Sequence, residues 1–189
     1  LKKLRLPTFL SEHAKLARQC AEENVDHVSY LLRLCELELI ERERRMVERR
    51  IKAAKFPAVK SLDSFDFKAI PSLNKTQVVE LSRCSYIEQR QNIITLGPSG
   101  TGKTHIALGL GLAACQKGYK VRFTTAGSLV TELMEARDEH RMQRHLKQLA
   151  GQDLLIIDEL VFVPLSKNAA ELLFEVFSHL SERVSDNVT

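Results

Sequence analysis

The chain is poor in the residues that build metal centres and covalent frameworks. Its four cysteines show no CxxC pair and no regular spacing, and its six histidines are equally scattered. His140 and His145 are five residues apart, which does not place them on one helical face as a zinc motif requires. These patterns argue against a zinc site and against a disulfide framework, and they predict a reducing, cytoplasmic location.

Long apolar runs are also absent. No stretch approaches the roughly 18 to 20 residues that span a bilayer, and the first residues, LKKLR, lack the apolar core of a signal peptide. The sequence therefore predicts no membrane partner. Because the chain does not begin with Met, we expect it to be part of a longer gene product.

What is present suits an ordinary globular protein of one large domain, or one domain with a smaller attachment. The 189 residues are 44% hydrophobic and 28% charged. Residues 1–60 hold 14 Lys and Arg against 9 Asp and Glu, whereas the remainder holds 14 against 15. All the excess positive charge therefore lies in the N-terminal third. Charge alone leaves a solvated helix face and a binding surface equally open.

The apolar spacing predicts two helices at the start of the chain, over 8–23 and 27–55. The second helix has an apolar first half and an arginine-rich second half, through which Met46, Val47 and Ile51 continue an apolar stripe. Residues 1–55 are thus predicted to form a small helical domain with a positive surface.

Turn residues dominate 56–74, which is predicted to be a linker anchored by Leu62, Phe65 and Phe67. Helices then alternate with apolar strands over 75–189, a pattern typical of an α/β domain whose parallel sheet lies between helices. The predicted elements are a helix over 75–83, a strand over 92–96, a helix over 103–117 ended by Gly118, a strand over 119–125, one or two helices over 128–150, a strand over 153–157, a helix over 167–183 and a strand from 186.

A glycine-rich loop lies where the strand over 92–96 meets the following helix. Residues 97–104, GPSGTGKT, match the pattern GxxxxGK(S/T) without exception. The glycines let consecutive backbone N–H groups point at phosphate oxygens, and the helix N-terminus adds partial positive charge. Lys103 is predicted to reach the β- and γ-phosphates of ATP, and the Thr104 hydroxyl to ligate Mg²⁺.

A second motif, LLIIDE over 154–159, ends a fully apolar strand in two carboxylates. A buried parallel strand delivers its last residues to the edge of the sheet where ligands bind. Asp158 is predicted to hold Mg²⁺, and Glu159 is predicted to orient the attacking water. Lys103 is predicted to act with Glu159 in catalysis by contacting the phosphates. The predicted nucleotide-binding residues are Gly97, Pro98, Ser99, Gly100, Thr101, Gly102, Lys103, Thr104, His105 and Asp158.

Other side chains leave two interpretations open. Thr124 and Thr125 end a strand and either reach the nucleotide or only satisfy backbone groups, which is the usual role of threonines there. Phe65 and Phe67 either border an adenine or pack in the core, and we favour packing. A set of cations at helical spacing either faces DNA or is solvated, and we favour the second. Its members are Arg137, Arg141, Arg144 and Lys147.

Taken in order, the helical module, the Phe-Pro linker, GPSGTGKT, LLIIDE, LVFVPLS and AAELLFEVFS closely resemble the IstB-like transposition helper ATPases. These are P-loop AAA+ proteins related to the DnaC-type helicase loaders. The resemblance covers almost the whole chain, and its more specific parts are Leu165-Ser166, the helix from Ala169 to Ser178 and the opening LRLPTF.

The resemblance implies an ATP-dependent homo-oligomer that binds duplex DNA, helps to choose the insertion target and stimulates a cognate transposase. The basic helix would engage DNA phosphates, whose recognition is independent of sequence. The predicted DNA-binding residues are Arg42, Arg44, Arg45, Arg49, Arg50 and Lys52. The family's sensor-1 residue, arginine finger and helical lid follow residue 189, so we expect the chain to bind nucleotide and hydrolyse it weakly.

Three other functions remain open from the residues. A DnaC-type helicase loader shares the ATPase core but binds a helicase and single-stranded DNA. A small-molecule P-loop kinase transfers phosphate to an acceptor and needs no basic module, whereas the adjacent carboxylates favour hydrolysis. A DNA-binding module in which the nucleotide is only a structural ligand would not depend on the Glu159 carboxylate.

Overall fold

A computed structural model of the chain describes residues 3–160, 167–180 and 185–188. The chain divides into two compact units, Leu1–Arg49 and Arg50–Thr189. The division falls within a continuous helix and precedes the domain end predicted at residue 55.

The two segments predicted to be helical at the start of the chain form α1 (Pro7–Glu22) and α2 (His27–Ala54). Pro7 occupies the first turn of α1, where its missing N–H costs nothing. The connection contains Asp26, whose Oδ1 accepts hydrogen bonds from the backbone N–H groups of Val28 and Ser29 at 2.9 and 3.0 Å. This carboxylate satisfies N–H groups that a helix start leaves without partners.

The core of the first unit is small and apolar. It contains Leu16 and Cys20 from α1 and Leu34 from α2, with Tyr30 and Leu37 packed partly buried against them. One carboxylate, Glu38, is also buried here, at 3% exposure.

The second unit alternates helices and strands as its apolar pattern predicts. Its elements are α3 (Lys75–Leu81), α4 (Ser85–Glu88), β1 (Ile93–Ile94), α5 (Lys103–Gln116), β2 (Val121–Thr125), α6 (Ala126–Asp138), α7 (Met142–Ala150), β3 (Leu154–Asp158), α8 (Lys167–Leu180) and β4 (Ser185–Val188).

The four strands form one parallel sheet in the order β1-β4-β3-β2. Alternate residues of β3 face opposite helical layers: Leu155 and Ile157 pack with α6, α7 and α8, and Leu154 and Ile156 pack with α5. Every residue of β3 is buried, because helices cover both faces of the sheet. The predicted α/β fold with a parallel sheet between helices is confirmed.

Several element ends differ from their predictions. The strand predicted over 92–96 contains only Ile93 and Ile94, because Thr95 and Leu96 already lead into the glycine-rich loop. The region predicted as one or two helices forms two, separated at Glu139–Arg141, where His140 adopts a left-handed φ of 55°. Gly118, with φ 87°, follows the end of α5 as predicted.

The linker predicted over 56–74 contains two short 3₁₀ helices, Leu62–Ser64 and Phe67–Ala69. Three of its apolar side chains lie directly over glycines of α5 and the loop before it. The contacts pair Phe56 with Gly111, Leu62 with Gly109 and Phe65 with Gly102. A Cβ atom at any of these glycines would lie 2.9 Å or less from the aromatic or aliphatic carbon above it. The linker is therefore packed onto the second unit along this helix.

Some features named in the sequence analysis lie outside the described residues, namely Leu165, Ser166, Thr189 and the helix end over 181–183. Over the described ranges, no helix combines the length and the apolar character needed to cross a membrane.

Gly111→Ala should destabilise the second unit although alanine favours helices. The new Cβ would lie 2.7 Å from Cδ1 of Ile156 and 2.9 Å from Cε1 of Phe56. Overpacking of this kind lowers the free energy of unfolding by about 1–3 kcal/mol, which urea unfolding measures. Gly151→Ala is the control, because a Cβ there would meet the carbonyl oxygens of Gln148 and Lys147 at 3.4 Å, an ordinary contact distance. Equal effects of the two substitutions would contradict the packing argument.

Candidate nucleotide-binding site

The glycine-rich loop connects β1 to the first residue of α5. Gly100 and Gly102 adopt left-handed φ angles of 81° and 76°, which residues with a Cβ rarely adopt. Gly102 is also the N-cap residue of α5, and as a glycine it has no side chain to cap that helix start. The first backbone N–H groups of α5 thus remain available to an anion.

Lys103 folds back over the loop. Its Nζ donates hydrogen bonds to the carbonyl oxygens of Gly97 and Pro98, each at 2.9 Å. The Thr101 hydroxyl donates to the same Pro98 carbonyl at 2.8 Å. These bonds hold the ammonium group beside the backbone that would surround a phosphate.

A hydrogen bond joins the end of β3 to the start of α5. The Thr104 hydroxyl donates to Oδ2 of Asp158 at 2.8 Å, and the backbone N–H of Glu159 donates to Oδ1 at 2.9 Å. Asp158 is 8% exposed. A hydroxyl and a carboxylate oxygen are hard ligands of the kind that Mg²⁺ takes, so these two residues fit a Mg²⁺ ion.

Glu159 leaves the strand in a strained conformation. Its φ is 62°, a left-handed value that costs a non-glycine residue about 1–2 kcal/mol. Its side chain is exposed, unlike the five residues of β3 before it. This backbone turn places the second carboxylate beside the loop rather than in the sheet.

A cavity of about 420 Å³ joins these features. Of the predicted residues it is lined by Gly97, Ser99, Gly100, Gly102, Lys103, Thr104, Asp158 and Glu159. Thr95 and Leu96 also line the cavity, and the sequence analysis did not include them. Their position just before the glycine-rich loop could have indicated that they lie at the edge of the sheet. Pro98 and Thr101 shape the loop from outside this lining, through the hydrogen bonds described above.

His105 was predicted with the nucleotide-binding residues, but its ring is directed at the linker. Its Nε2 lies 2.9 Å from the carbonyl oxygen of Ser61 and 3.2 Å from the hydroxyl of Ser64. Phe65 packs edge-on against the same ring, with centroids 5.2 Å apart. The imidazole therefore contacts the linker, and only the backbone of His105 belongs to the helix start that would face a phosphate.

The structure shows what contacts are made by the side chains for which the sequence left two interpretations open. Thr125 caps α6 by accepting a hydrogen bond from the backbone N–H of Ser128 at 3.2 Å, and Thr124 is buried. Phe65 and Phe67 contact each other edge to face at 4.9 Å and pack against the core. Arg141 and Arg144 border a cavity with several carboxylates, and Arg141 is ion-paired with Glu139. Both signs of charge are therefore interspersed there.

Comparison with known proteins places this geometry in a family. Residues 1–189 match the family described as IstB-like ATP binding protein. The chain belongs to this IstB-like family.

Its relatives are named for insertion sequences. The chain is 36% identical over 180 residues to the ATP-binding protein of insertion sequence IS5376 from Geobacillus stearothermophilus, covering 95% of this chain and 72% of the relative. It is also 36% identical to the IS21 ATP-binding protein from Pseudomonas aeruginosa, covering 93% and 67%. The chain thus spans about two thirds of the length of these relatives.

Solved structures show the same P-loop AAA+ fold. The AMPPCP-bound DnaA from Aquifex aeolicus aligns with a TM-score of 0.60 at 22% identity, over 71% of this chain and 42% of that one. The DnaC helicase loader aligns with a TM-score of 0.54 at 21% identity, over 60% and 66%. At these identities the likeness concerns the fold alone.

Several arginines of the basic helix, α2, make hydrogen bonds and ion pairs with other residues of the IstB-like chain. Arg42 donates to Glu38 at 3.0 Å and to the Arg5 carbonyl at 2.7 Å. Arg45 donates to the Thr8 hydroxyl at 2.8 Å. These two arginines therefore also hold α1 against α2.

The other predicted DNA-binding residues are more available. Arg44 is exposed and ion-paired with Glu41 and Glu48 on the same helix face. Arg49 is exposed, and its Nε donates to the Arg45 carbonyl at 3.2 Å. Arg50 is partly buried and Lys52 is exposed. Exposed pairs of this kind contribute little to stability, so phosphates can compete for the guanidinium groups.

Glu38 is the acceptor on which this arrangement of α1 and α2 depends. Burial alone would raise its pKa, but hydrogen bonds from Arg42 and from the backbone N–H groups of Thr8 and Phe9 favour the ionised form, and the pKa is lowered. A lowered pKa stabilises the folded state above the ordinary value of 4.5, and this contribution is lost as pH falls through the lowered value.

Glu38→Gln should therefore loosen the first unit at neutral pH. The amide cannot provide the charge that Arg42 and two backbone N–H groups contact. We expect chemical unfolding followed by circular dichroism to show a lower midpoint for Glu38→Gln at pH 7, with the difference shrinking below pH 4.5. Glu36→Gln, at an exposed site two residues earlier on the same helix, is the control. A difference that persists unchanged in acid would contradict this role of the charge.

Proposed function

We propose that the protein is an ATP-dependent, oligomeric helper ATPase of DNA transposition, which binds duplex DNA and acts with a transposase. The observation that carries the proposal is the hydrogen bond between Thr104 and Asp158, which brings the glycine-rich loop and the acidic strand end into one site. The relatives named as ATP-binding proteins of insertion sequences support the biological setting.

In the proposed mechanism, the loop N–H groups and the start of α5 hold the phosphates of ATP. Lys103 exchanges its two carbonyl contacts for oxygens of the β- and γ-phosphates. Thr104 and Asp158 would hold Mg²⁺, which neutralises charge on the phosphates when bound. Glu159 accepts a proton from the water that attacks the γ-phosphate, and its turn out of β3 places the carboxylate at the cavity for this step.

The proposed DNA contacts are the exposed cations near the end of α2. Arg44, Arg49 and Lys52 belong to the predicted set and are exposed, and the hydrogen bonds of Arg44 and Arg49 described above lie within α2. Arg42 and Arg45 contribute indirectly in this proposal, because they position the helix. Phosphate contacts of this kind are independent of sequence, which suits a protein with little target preference.

A helicase loader is the alternative that the DnaC fold likeness keeps open. Sedimentation of the protein with random-sequence duplex DNA, with and without a non-hydrolysable ATP analogue, separates the two functions. The transposition helper should form a large complex only with nucleotide, and Lys103→Ala should abolish it. Preference for single-stranded DNA, with no duplex complex in either condition, would favour the helicase loader.

Glu159→Gln should reduce ATP turnover at least about 100-fold, because a positioned general base typically contributes a factor of 10² to 10⁴. ATP binding should be retained, since the amide leaves the loop and Lys103 intact. Single-turnover hydrolysis with protein in excess measures the first quantity, and equilibrium binding of a fluorescent ATP analogue measures the second. Glu171→Gln, on an exposed position of α8, is the control. Unchanged turnover would indicate that the nucleotide is only a structural ligand.

Replacing Arg44 and Arg49 by Ala should weaken binding to duplex DNA and flatten its salt dependence. Each phosphate contact contributes about 0.9 to the slope of log K against log salt, so the slope should fall by about two. Titrations at several salt concentrations measure the slope. The charge-matched control replaces Lys15 and Arg18, which are exposed on α1. An equal loss in both variants would indicate only a general effect of net charge.

A further inference from the structure

A second apolar stripe runs along α2, away from the side that packs on α1. Val28, Leu32 and Leu39 are 78%, 59% and 64% exposed, and Cys35 is exposed between them. At 3.6 residues per turn these four positions fall within about 60° of one another, and about 130° round the helix from Leu34. An ordinary surface helix has one apolar stripe, so the second one needs a partner.

The spacing of the stripe identifies the kind of partner. Positions 28, 32, 35 and 39 are separated by four, three and four residues, which is the spacing of a helix–helix seam. This spacing is the same in both directions along the helix. A second copy placed antiparallel therefore sets Val28 opposite Leu39 and Leu32 opposite Cys35, and repeats both contacts by symmetry.

Charge favours this antiparallel arrangement. The seam positions continue to Arg42 and Arg49, so a parallel pair in register would set each arginine against itself. In the antiparallel pair the overlap ends at residues 28 and 39, and both arginines lie beyond it. Glu36, which borders the stripe, then comes nearest to Ser29 of the second copy rather than to a carboxylate.

We propose that α2 pairs with α2 of a second copy of this chain through the stripe formed by Val28, Leu32, Cys35 and Leu39, with the two helices antiparallel. With the neighbouring Leu31, which is 53% exposed, the stripe presents on the order of 500 Å² per copy, near the upper end for a monomer's largest patch. The pairing needs neither nucleotide nor DNA.

The pairing has a consequence for DNA that rests on the function proposed above. The two-fold axis passes between residues 33 and 34, and the arginine-rich stretch 42–49 is centred 12 residues further along. At 1.5 Å per residue the two stretches are centred about 36 Å apart. Successive turns of a DNA duplex are about 34–36 Å apart. A paired molecule would therefore present two basic helix ends to successive turns of one duplex.

Sedimentation equilibrium of the full chain, without nucleotide or DNA, tests the pairing. The mass should be twice the 21.4 kDa of one chain. Leu32→Glu and Leu39→Glu should each raise the dissociation constant at least about 100-fold, because each would bury a charge without a partner. Ile40→Glu is the matched control, since Ile40 is 59% exposed but lies off the stripe. Circular dichroism verifies that all variants are helical.

The orientation has its own test. Under mild oxidation Leu32→Cys should form a disulfide with Cys35 of the second copy, and the double variant Leu32→Cys, Cys35→Ser should not. The other three cysteines are Cys20, Cys84 and Cys115, all buried. A Cys35–Cys35 disulfide in the unmodified chain would overturn the antiparallel arrangement.

A chain that is monomeric at tens of micromolar, or a dimer that both stripe variants leave intact, would overturn the pairing itself. Lys103→Ala should still pair, so a failure of the ATPase proposal remains distinguishable from a failure of this one. If only transposase-dependent activity responds to the stripe variants, the surface belongs to the transposase and the pairing is wrong.

Discussion

Burial of β3 on both faces is the constraint on which the second unit depends. Its alternate side chains meet two different helical layers, so every residue from Leu154 to Asp158 is buried. A strand in that position has only its carboxyl end free to carry polar groups. There Asp158 contacts Thr104, which is fixed in turn at the start of α5. The geometry of the candidate nucleotide site thus follows from the burial of both faces of β3.

The sequence predicts this part of the molecule well because its signals are local. A continuous apolar run followed by two acids, and a glycine pattern between a strand and a helix, each require one arrangement of the backbone. The direction of the His105 ring was not predictable in the same way, since it depends on Ser61 and Ser64, more than 40 residues earlier in the chain. Thr95 and Leu96 fall outside β1 for a local reason, because they already lead into the glycine-rich loop.

The basic helix shows what a count of charges omits. A run of arginines in the sequence suggests a uniform positive surface, but pairing separates its members into different roles. Arg42 reaches the Arg5 carbonyl and Arg45 the Thr8 hydroxyl, so both hold the start of α1 against α2, whereas Arg49 donates to a carbonyl of its own helix. Which arginine faces inward depends on the position of Glu38, a buried carboxylate that the local charge pattern does not distinguish from its neighbours.

The packing of the linker on the glycines of α5 affects how this protein can be divided. The turn-rich composition of residues 56–74 is that of a linker, and the sequence predicts only that Leu62, Phe65 and Phe67 anchor it. However, Phe56, Leu62 and Phe65 fill the space over three glycines. A shortened fragment that starts at residue 75 would lose this cover and expose one side of α5. A fragment intended to fold alone must therefore retain the segment from Phe56 onward.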